Sequence, residues 1–167
     1  MRTISIDLLY FWADEQDIRV VFSPLRAYNT GLLGMADVKR RIIKLDVSLR
    51  TMRRLLKCVL AHEIGHFIFP PRPGHIRYHS CSYINIDHDE RSNIKAVVHQ
   101  DERLALKWAT SVLMPNVEFN RIIESGNYSV REIADHFDVD PLFVRFKINY
   151  YMLRKPKTRW RDLIKKT

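Results

Sequence analysis

Two histidines four residues apart, His62 and His66, flank a glutamate in the stretch LLKCVLAHEIGHFIFPP (55–71). Four residues are about one turn of an α-helix, so both imidazoles lie on one face and can share one zinc ion at about 2.0–2.1 Å each. Glu63, next to the first histidine, then lies beside the metal and can act as the general base that takes a proton from water. The spacing predicts one Zn²⁺ per chain, with Glu63 as the catalytic residue.

The alternative interpretation is a core helix whose two histidines are hydrogen-bonded and bind no metal. A single histidine on an apolar face is usually of that kind, but two at this spacing with an adjacent glutamate are typical of a metal site. Gly65, between the histidines, also allows another segment to approach the helix closely. We therefore favour the zinc site.

A catalytic zinc needs three protein ligands and an open position. The three-histidine arrangement HExxHxxGxxH would require glycine and histidine where this chain has Phe69 and Arg72. A carboxylate from a second helix is the remaining route, and Glu102 fits because it extends the apolar stripe of DERLALKWATSVLMP (101–115). Asp101 is the competing carboxylate, but it points about 100° away around the helix. The predicted ligands are His62, His66 and Glu102.

The segments before this helix predict a small, mostly antiparallel sheet. Residues 4–16 have helical spacing of apolar side chains, whereas IRVVFSP (18–24) and KRRIIKLDVSL (39–49) are typical of strands. TGLLGMAD (30–37) is either a short strand or a turn. The sheet would support the helix that carries the histidines.

The rest of the chain is predicted to be irregular over residues 70–100 and helical afterwards. One helix ends at Gly126, the next begins at a capping box formed by Ser129 and Glu132, and Asp140 opens the last. Two short helices joined by a tight turn resemble a helix-turn-helix. The predicted organisation is an α+β domain at 1–115 and a helical extension with a basic tail at 116–167.

The charge of the chain favours partners that carry negative charge. Lys and Arg exceed Asp and Glu by nine, and the sequence pI is about 9.8, with basic residues concentrated in 39–57 and 145–166. This indicates nucleic acid as a possible partner of the C-terminal region, or simply a solvated basic face. On the last helix, a DNA reader would use Arg145, Lys147 and Asn149. The alternative, a helical subdomain packed on the domain at 1–115, is favoured because there is no dimerisation signal.

The chain predicts a cytoplasmic protein without a membrane span. Cys58 and Cys81 do not suggest a disulfide framework. The N-terminus lacks the pattern of a signal peptide, and no window approaches 18 apolar residues.

Two motifs in order carry a resemblance to a known family. LLKCVLAHEIGHFIF, followed by E-x-x-A-x-x-W-A-x-x-V-L-M-P (102–115), closely resembles the ImmA/IrrE family of metallopeptidases. The resemblance covers about residues 18–153 and is most specific over 55–115. It implies a zincin-like fold with His62 and His66 as ligands, Glu63 as general base and Glu102 as third ligand.

The resemblance also implies a biological role. Such enzymes are cytoplasmic proteases, often encoded on prophages or integrative elements, that relieve repression by cleaving or removing a repressor with a helix-turn-helix domain. The segment SVREIADHFDVDPLFVRFKI (129–148) is similar to the helix-turn-helix-like part of that family. The expected partner is therefore a protein substrate of the repressor class.

One position departs from the family pattern. The residue four after Glu102 is usually Asn or Asp, which hydrogen-bonds a metal-binding histidine in related zincins, and here it is Leu106. Such a partner commonly contributes roughly 10–100-fold in metal affinity or activity. Asp101, Asp87 and Asp89 are candidate replacements. If none acts, the alternative is a DNA-binding or repressor-sequestering regulator with a structural or vestigial zinc site.

A zinc protease also needs a group that stabilises the oxyanion. The segment 70–100 offers several candidates, among which the sequence does not distinguish: Tyr78, His79, Tyr83, His88 and His99.

Overall fold

The structure, a computed structural model, describes residues 4–70 and 93–154, apart from the side chains of residues 93–99 and 154. These residues form six α-helices, three strands and two 3₁₀ turns, which confirms the predicted α+β class and a small zincin-like domain. In chain order the elements are α1 (Ile6–Glu15), β1 (Arg19–Ser23), a 3₁₀ turn (Leu25–Ala27), β2 (Gly34–Asp37), β3 (Ile42–Asp46), a 3₁₀ turn (Val47–Thr51), α2 (Arg53–Ile68), α3 (Asn93–Leu113), α4 (Asn116–Ser125), α5 (Val130–Phe137) and α6 (Pro141–Arg154).

The sheet is mixed, with strand order β1-β3-β2, and so differs from the mostly antiparallel sheet that the sequence predicts. On β3, Ile43 lies between Val20 of β1, which runs parallel, and Ala36 of β2, which runs antiparallel. The chain reverses direction twice, before β2 and again at the turn where Arg41 has φ 54°. Two reversals make β1 and β3 parallel. Residue patterns indicate the strands, but they do not indicate that β3 inserts between the other two.

Helix α2 lies at the centre of the fold. It contacts β2 and β3 on one side and α3 on another, and every residue from Leu56 to His66 is buried. A helix covered all round has no solvated face on which polar side chains can be hydrated. The polar residues of this stretch therefore need protein partners or a bound ligand.

Helix α3 is longer than the sequence predicts. It includes residues 93–100, which we expected to be irregular. No proline or glycine interrupts residues 93–114, so the helix extends through residues 93–100 without a break.

The helix boundaries in the last third are as predicted. Helix α4 ends at Gly126, which has φ 67°, in the left-handed region where glycine is favoured. The Ser129 hydroxyl accepts the Glu132 backbone N–H at 3.2 Å, and the Glu132 carboxylate accepts the Ser129 N–H at 2.7 Å. Asp140 accepts the N–H of Leu142 at 2.9 Å and opens α6.

The helices after Pro115 share their core with the sheet and α2. One hydrophobic cluster extends from Ile6 of α1 to Tyr151 of α6. The division of the chain near residue 115 stays a prediction. None of the described helices is both long enough and apolar enough to cross a membrane.

Candidate metal centre

The two histidines of α2 project their Nε2 atoms towards a common point. Both side chains are buried, and their Nε2 atoms lie 3.2 Å apart. The ring planes are inclined by 83°, with centroids 4.7 Å apart. The one-turn spacing of the sequence thus places both imidazoles on the face of α2 that α3 covers.

Glu102 of α3 completes the group. Its Oε2 lies 3.2 Å from His62 Nε2 and its Oε1 lies 3.5 Å from His66 Nε2. The Glu102 side chain is 30% exposed, whereas the two imidazoles are almost fully buried. Within the described residues, His62, His66 and Glu102 are the histidine, cysteine and acidic side chains that could together hold a metal ion.

These distances fit a tetrahedral metal site. Ligands about 2.0–2.1 Å from a tetrahedral ion are separated from each other by about 3.3–3.4 Å. In the structure the two Nε2 atoms are 3.2 Å apart, and they lie 3.2 and 3.5 Å from different oxygens of the Glu102 carboxylate, so the spacing of the group is close to that of such a site. Two imidazole nitrogens and one carboxylate leave a fourth position for water or substrate, as in catalytic sites. The donor set therefore fits a divalent metal ion, and the ligand roles of the three residues stay predictions.

Glu63, which follows His62 on α2, lies against strand β2. Its side chain is fully buried. A Cβ atom added to Gly34 of β2 would overlap Glu63 Oε1 and lie 2.9 Å from Glu63 Cδ. The carboxylate therefore occupies the space beside Gly34. This contact was not predicted from the sequence, although a glycine within a strand signals the close approach of another group.

Close packing of α2 against α3 brings Glu102 to the histidines. A Cβ atom on Gly65 would lie 2.8 Å from the carbonyl oxygen of Ala105 and 3.0 Å from its Cα. Ala105 is itself fully buried and lies one turn after Glu102 on the same face of α3. The sequence predicted such a close approach at Gly65, and the structure shows it.

Leu106 occupies the position where the family usually has an Asn or Asp that hydrogen-bonds a metal-binding histidine, and the structure describes one of the three aspartates that could replace it. Asp101 is buried on α3 but does not belong to the metal-binding group, and Leu106 is buried in the hydrophobic cluster. The other candidates for this role and for oxyanion stabilisation, together with the second cysteine, lie outside the described residues or have side chains that are not described: Tyr78, His79, Cys81, Tyr83, Asp87, His88, Asp89 and His99.

Lys147 of α6 faces the protein and is 5% exposed. Its ammonium donates to Asn116 Oδ1 at 2.7 Å and to the Thr110 carbonyl at 3.3 Å, and it lies 5.3 Å from the centroid of Phe119. This burial contradicts a DNA-reading role for Lys147 and supports a subdomain packed on the peptidase. Arg145 and Asn149 are exposed, and nucleic-acid contact by the basic C-terminal region stays a prediction.

An ionic cluster fastens the start of α2 to the end of α5. Lys57, which is buried, donates to Asp138 at 2.8 Å, and Arg54 contacts Asp138 at 3.1 Å. Partial burial by itself would raise the pKa of Asp138, but the hydrogen bond and charge of Lys57, followed by those of Arg54, lower it below its usual value. The helix that presents the histidines is thus anchored at its first turns by the C-terminal helices.

A buried His-Glu-x-x-His helix packed on a small sheet, with a third donor on the next helix, defines the class of HExxH metallopeptidase folds. The family of IrrE N-terminal-like domains, a family of M78 peptidases, matches residues 13–149, and the chain belongs to this family. The resemblance that the two sequence motifs indicated is thereby confirmed. No curated protein and no solved structure matches the chain.

Proposed function

We propose that the protein is a zinc-dependent metalloendopeptidase that cleaves or inactivates a transcriptional repressor with a helix-turn-helix domain. The observation that carries the peptidase activity is the meeting of His62, His66 and Glu102 at the separations of a tetrahedral site. Glu63 adjoins this site along α2, and the chain belongs to a family of peptidases.

The three side chains would hold one Zn²⁺ per chain. When bound, zinc supplies Lewis acidity, which lowers the pKa of water to about 7 and polarises a peptide carbonyl. The ion needs neutral imidazoles and an ionised carboxylate as donors, and the two histidines and Glu102 are of these types.

Glu63 moves the proton. Its carboxylate takes a proton from the attacking water and passes it to the nitrogen of the leaving amine. Because Glu63 is excluded from solvent, bulk water does not compete for this proton. The fixed position of the carboxylate between α2 and β2 removes the need to order it during the reaction.

The substrate would bind in an extended conformation along β2. This strand pairs with β3 on one side, and no other strand of the described residues pairs with its outer edge. An extended peptide can add to such an edge through main-chain hydrogen bonds. Of the two edge strands, β2 is the one that reaches Glu63, through Gly34.

The repressor as substrate is supported by membership of the family whose resemblance implies that role. The C-terminal helices, fastened to α2 through Lys57 and Asp138, offer a surface for a protein partner. We expect the protein to meet this repressor in the cytoplasm.

The experiment is incubation of the zinc-loaded protein with the repressor encoded beside its gene. We expect wild-type protein to cut the repressor and Glu63→Gln to bind zinc normally without cutting it. His62→Ala should lose both zinc and cleavage. An intact repressor with wild-type protein, or normal cleavage by Glu63→Gln, would contradict the proposal.

A regulator that binds without cutting is the second candidate, and one observation favours it. Leu106 buries an apolar side chain where the family usually has a hydrogen-bonding Asn or Asp. In that case duplex DNA or repressor binding should persist in Glu63→Gln, and DNA binding should weaken steeply with added salt.

A further inference from the structure

We propose that Gly34 is a positioning residue for Glu63: the missing side chain on β2 reserves the space in which the carboxylate is held. The role in catalysis rests on the proposed peptidase function, whereas the positioning of the carboxylate does not.

Space, and not backbone conformation, is the reason for glycine at this position. Of the described glycines, Gly126 has positive φ and Gly34 does not. Gly34 lies in regular antiparallel register opposite Leu45. Any L-residue can adopt this backbone conformation, so the requirement for glycine comes from what lies beside it.

The neighbours of Gly34 leave no room for a methyl group. Besides overlapping Glu63 Oε1, a Cβ atom would lie 2.8 Å from Val59 Cγ1 and 2.9 Å from Glu63 Cδ. These distances are well inside the usual van der Waals separation of about 3.5–4.0 Å. Val59 is fully buried and short, so it cannot swing away.

Strand β2 cannot easily move away from α2. Each residue from Gly34 to Asp37 is paired with β3, whose Ile43 and Leu45 are fully buried in the core. The carboxyl group is at the end of a side chain with three rotatable bonds and is the part that gives way most easily. An alanine at position 34 should therefore displace the carboxylate and leave α2 and the strand in place.

A side chain added at Gly34 should have a different effect from a side chain added at Gly65. Gly65 faces the backbone of α3, so a side chain there moves Glu102. The atoms nearest to a Cβ atom on Gly34 belong to Glu63 and Val59, so we expect a side chain there to leave His62, His66 and Glu102 unchanged. Gly34→Ala should retain the metal and lose the proton transfer.

The experiment compares Gly34→Ala with wild type and with Met35→Ala, which changes the opposite face of the same strand. Each protein is loaded with Co²⁺, and cobalt affinity, kcat and KM on the repressor, and affinity for acetohydroxamate are measured. Acetohydroxamate chelates a metal through two oxygens and carries a proton that a neighbouring carboxylate can accept, so its affinity, read from the cobalt absorption, reports the position of Glu63 independently of cleavage.

For Gly34→Ala we expect cobalt affinity within about twofold of wild type and KM little changed, with kcat lowered about 100-fold, as for a misplacement of about 1 Å. Acetohydroxamate affinity should fall about tenfold. Met35→Ala should match wild type in cobalt affinity and acetohydroxamate affinity, the two readouts that do not depend on substrate binding along β2. Because Glu63→Asp shortens the side chain, adding Gly34→Ala to it should cause much less further loss than in wild type.

Unchanged kcat and acetohydroxamate affinity in Gly34→Ala would overturn the proposal, and so would loss of cobalt binding, which would make the role of Gly34 structural. If Gly34→Ala does not fold, the Val59→Ala/Gly34→Ala pair removes the Val59 overlap, keeps that with Glu63 and is measured in the same way. If wild-type protein cuts nothing, the peptidase proposal fails, but the acetohydroxamate comparison still decides the position of Glu63.

Discussion

Gly65 of α2 lies against the backbone of Ala105 of α3, with room for a hydrogen atom but not for a methyl group. This contact sets the distance between the helix that carries the histidines and the helix that carries Glu102. The geometry of the candidate metal centre therefore depends on a residue that has no functional group.

Gly65→Ala should weaken metal binding. Alanine favours the helix over glycine by about 1 kcal/mol, but overpacking against a backbone costs about 1–3 kcal/mol. We expect the added methyl group to push α3 away and to lower zinc affinity at least tenfold, as measured by competition with a chelating dye. Ala105→Gly should not rescue the variant, because the opposing atoms belong to the backbone. Wild-type zinc affinity in Gly65→Ala would show that this contact does not determine how close Glu102 lies to the histidines.

Glu102→Gln and Asp101→Asn distinguish the two adjacent carboxylates of α3. Glu102 lies 3.2 Å from His62 Nε2 and 3.5 Å from His66 Nε2, whereas Asp101 is outside the metal-binding group. Glu102→Gln should therefore lower zinc affinity by more than the roughly 10–100-fold typical of an outer hydrogen-bonding partner, and Asp101→Asn by no more than that. The opposite order of effects would assign Asp101 as the ligand.

Asp138→Asn should change how stability depends on acid pH. The pKa of Asp138 in the folded chain is lowered, so its ionised form stabilises the fold above the unfolded-state value of about 3.9 and this contribution is lost as the pH falls through the folded value. Below about pH 4, Tm should fall more steeply for wild type than for Asp138→Asn. Other carboxylates titrate in both proteins, so the difference between the two curves isolates Asp138. Parallel curves would contradict the role of Lys57 and Arg54.

Cys58 should be unreactive in the folded protein. Burial raises the pKa of its thiol to about 12, so the reactive thiolate is scarce at neutral pH. In Cys81→Ser, which leaves Cys58 as the only thiol, a disulfide reagent such as DTNB should react slowly with native protein and rapidly in denaturant. Rapid reaction of the native protein would mean that α2 opens readily.

Lys147→Ala should affect stability and not DNA binding. The variant loses hydrogen bonds from a charged donor to Asn116 and Thr110, each typically about 1.5–3 kcal/mol. We expect the free energy of unfolding to fall by about that amount, with a smaller loss in Lys147→Met, which retains the packing of the stem. The salt dependence of any duplex-DNA binding should be the same as in wild type. A reduced salt slope would mean that Lys147 reaches DNA after all.

Local features were predictable from the sequence. The capping box of Ser129 and Glu132 and the end of α4 at Gly126 each depend on residues within one or two helical turns. The shared face of His62 and His66 follows in the same way from helix geometry. The family, too, was recognisable from two motifs in order.

Features that depend on packing between distant segments were not predictable. The insertion of β3 between β1 and β2 depends on two chain reversals. The inward orientation of Lys147 depends on where α6 packs. The start of α3 was missed because residues 93–100 were grouped with the His-, Tyr- and Ser-rich segment before them, although no proline or glycine interrupts the helix there.

The sequence alone determined which residues could do chemistry: the two histidines, Glu63 and a carboxylate on a following helix. Only the tertiary structure decided that the segment close to Gly65 is the backbone of Ala105, one turn after Glu102, and that Gly34 makes room for Glu63. The reason is physical. Side-chain spacing along one helix is fixed by its covalent and hydrogen-bonded geometry, whereas the separation of two elements is fixed by the volumes that meet between them.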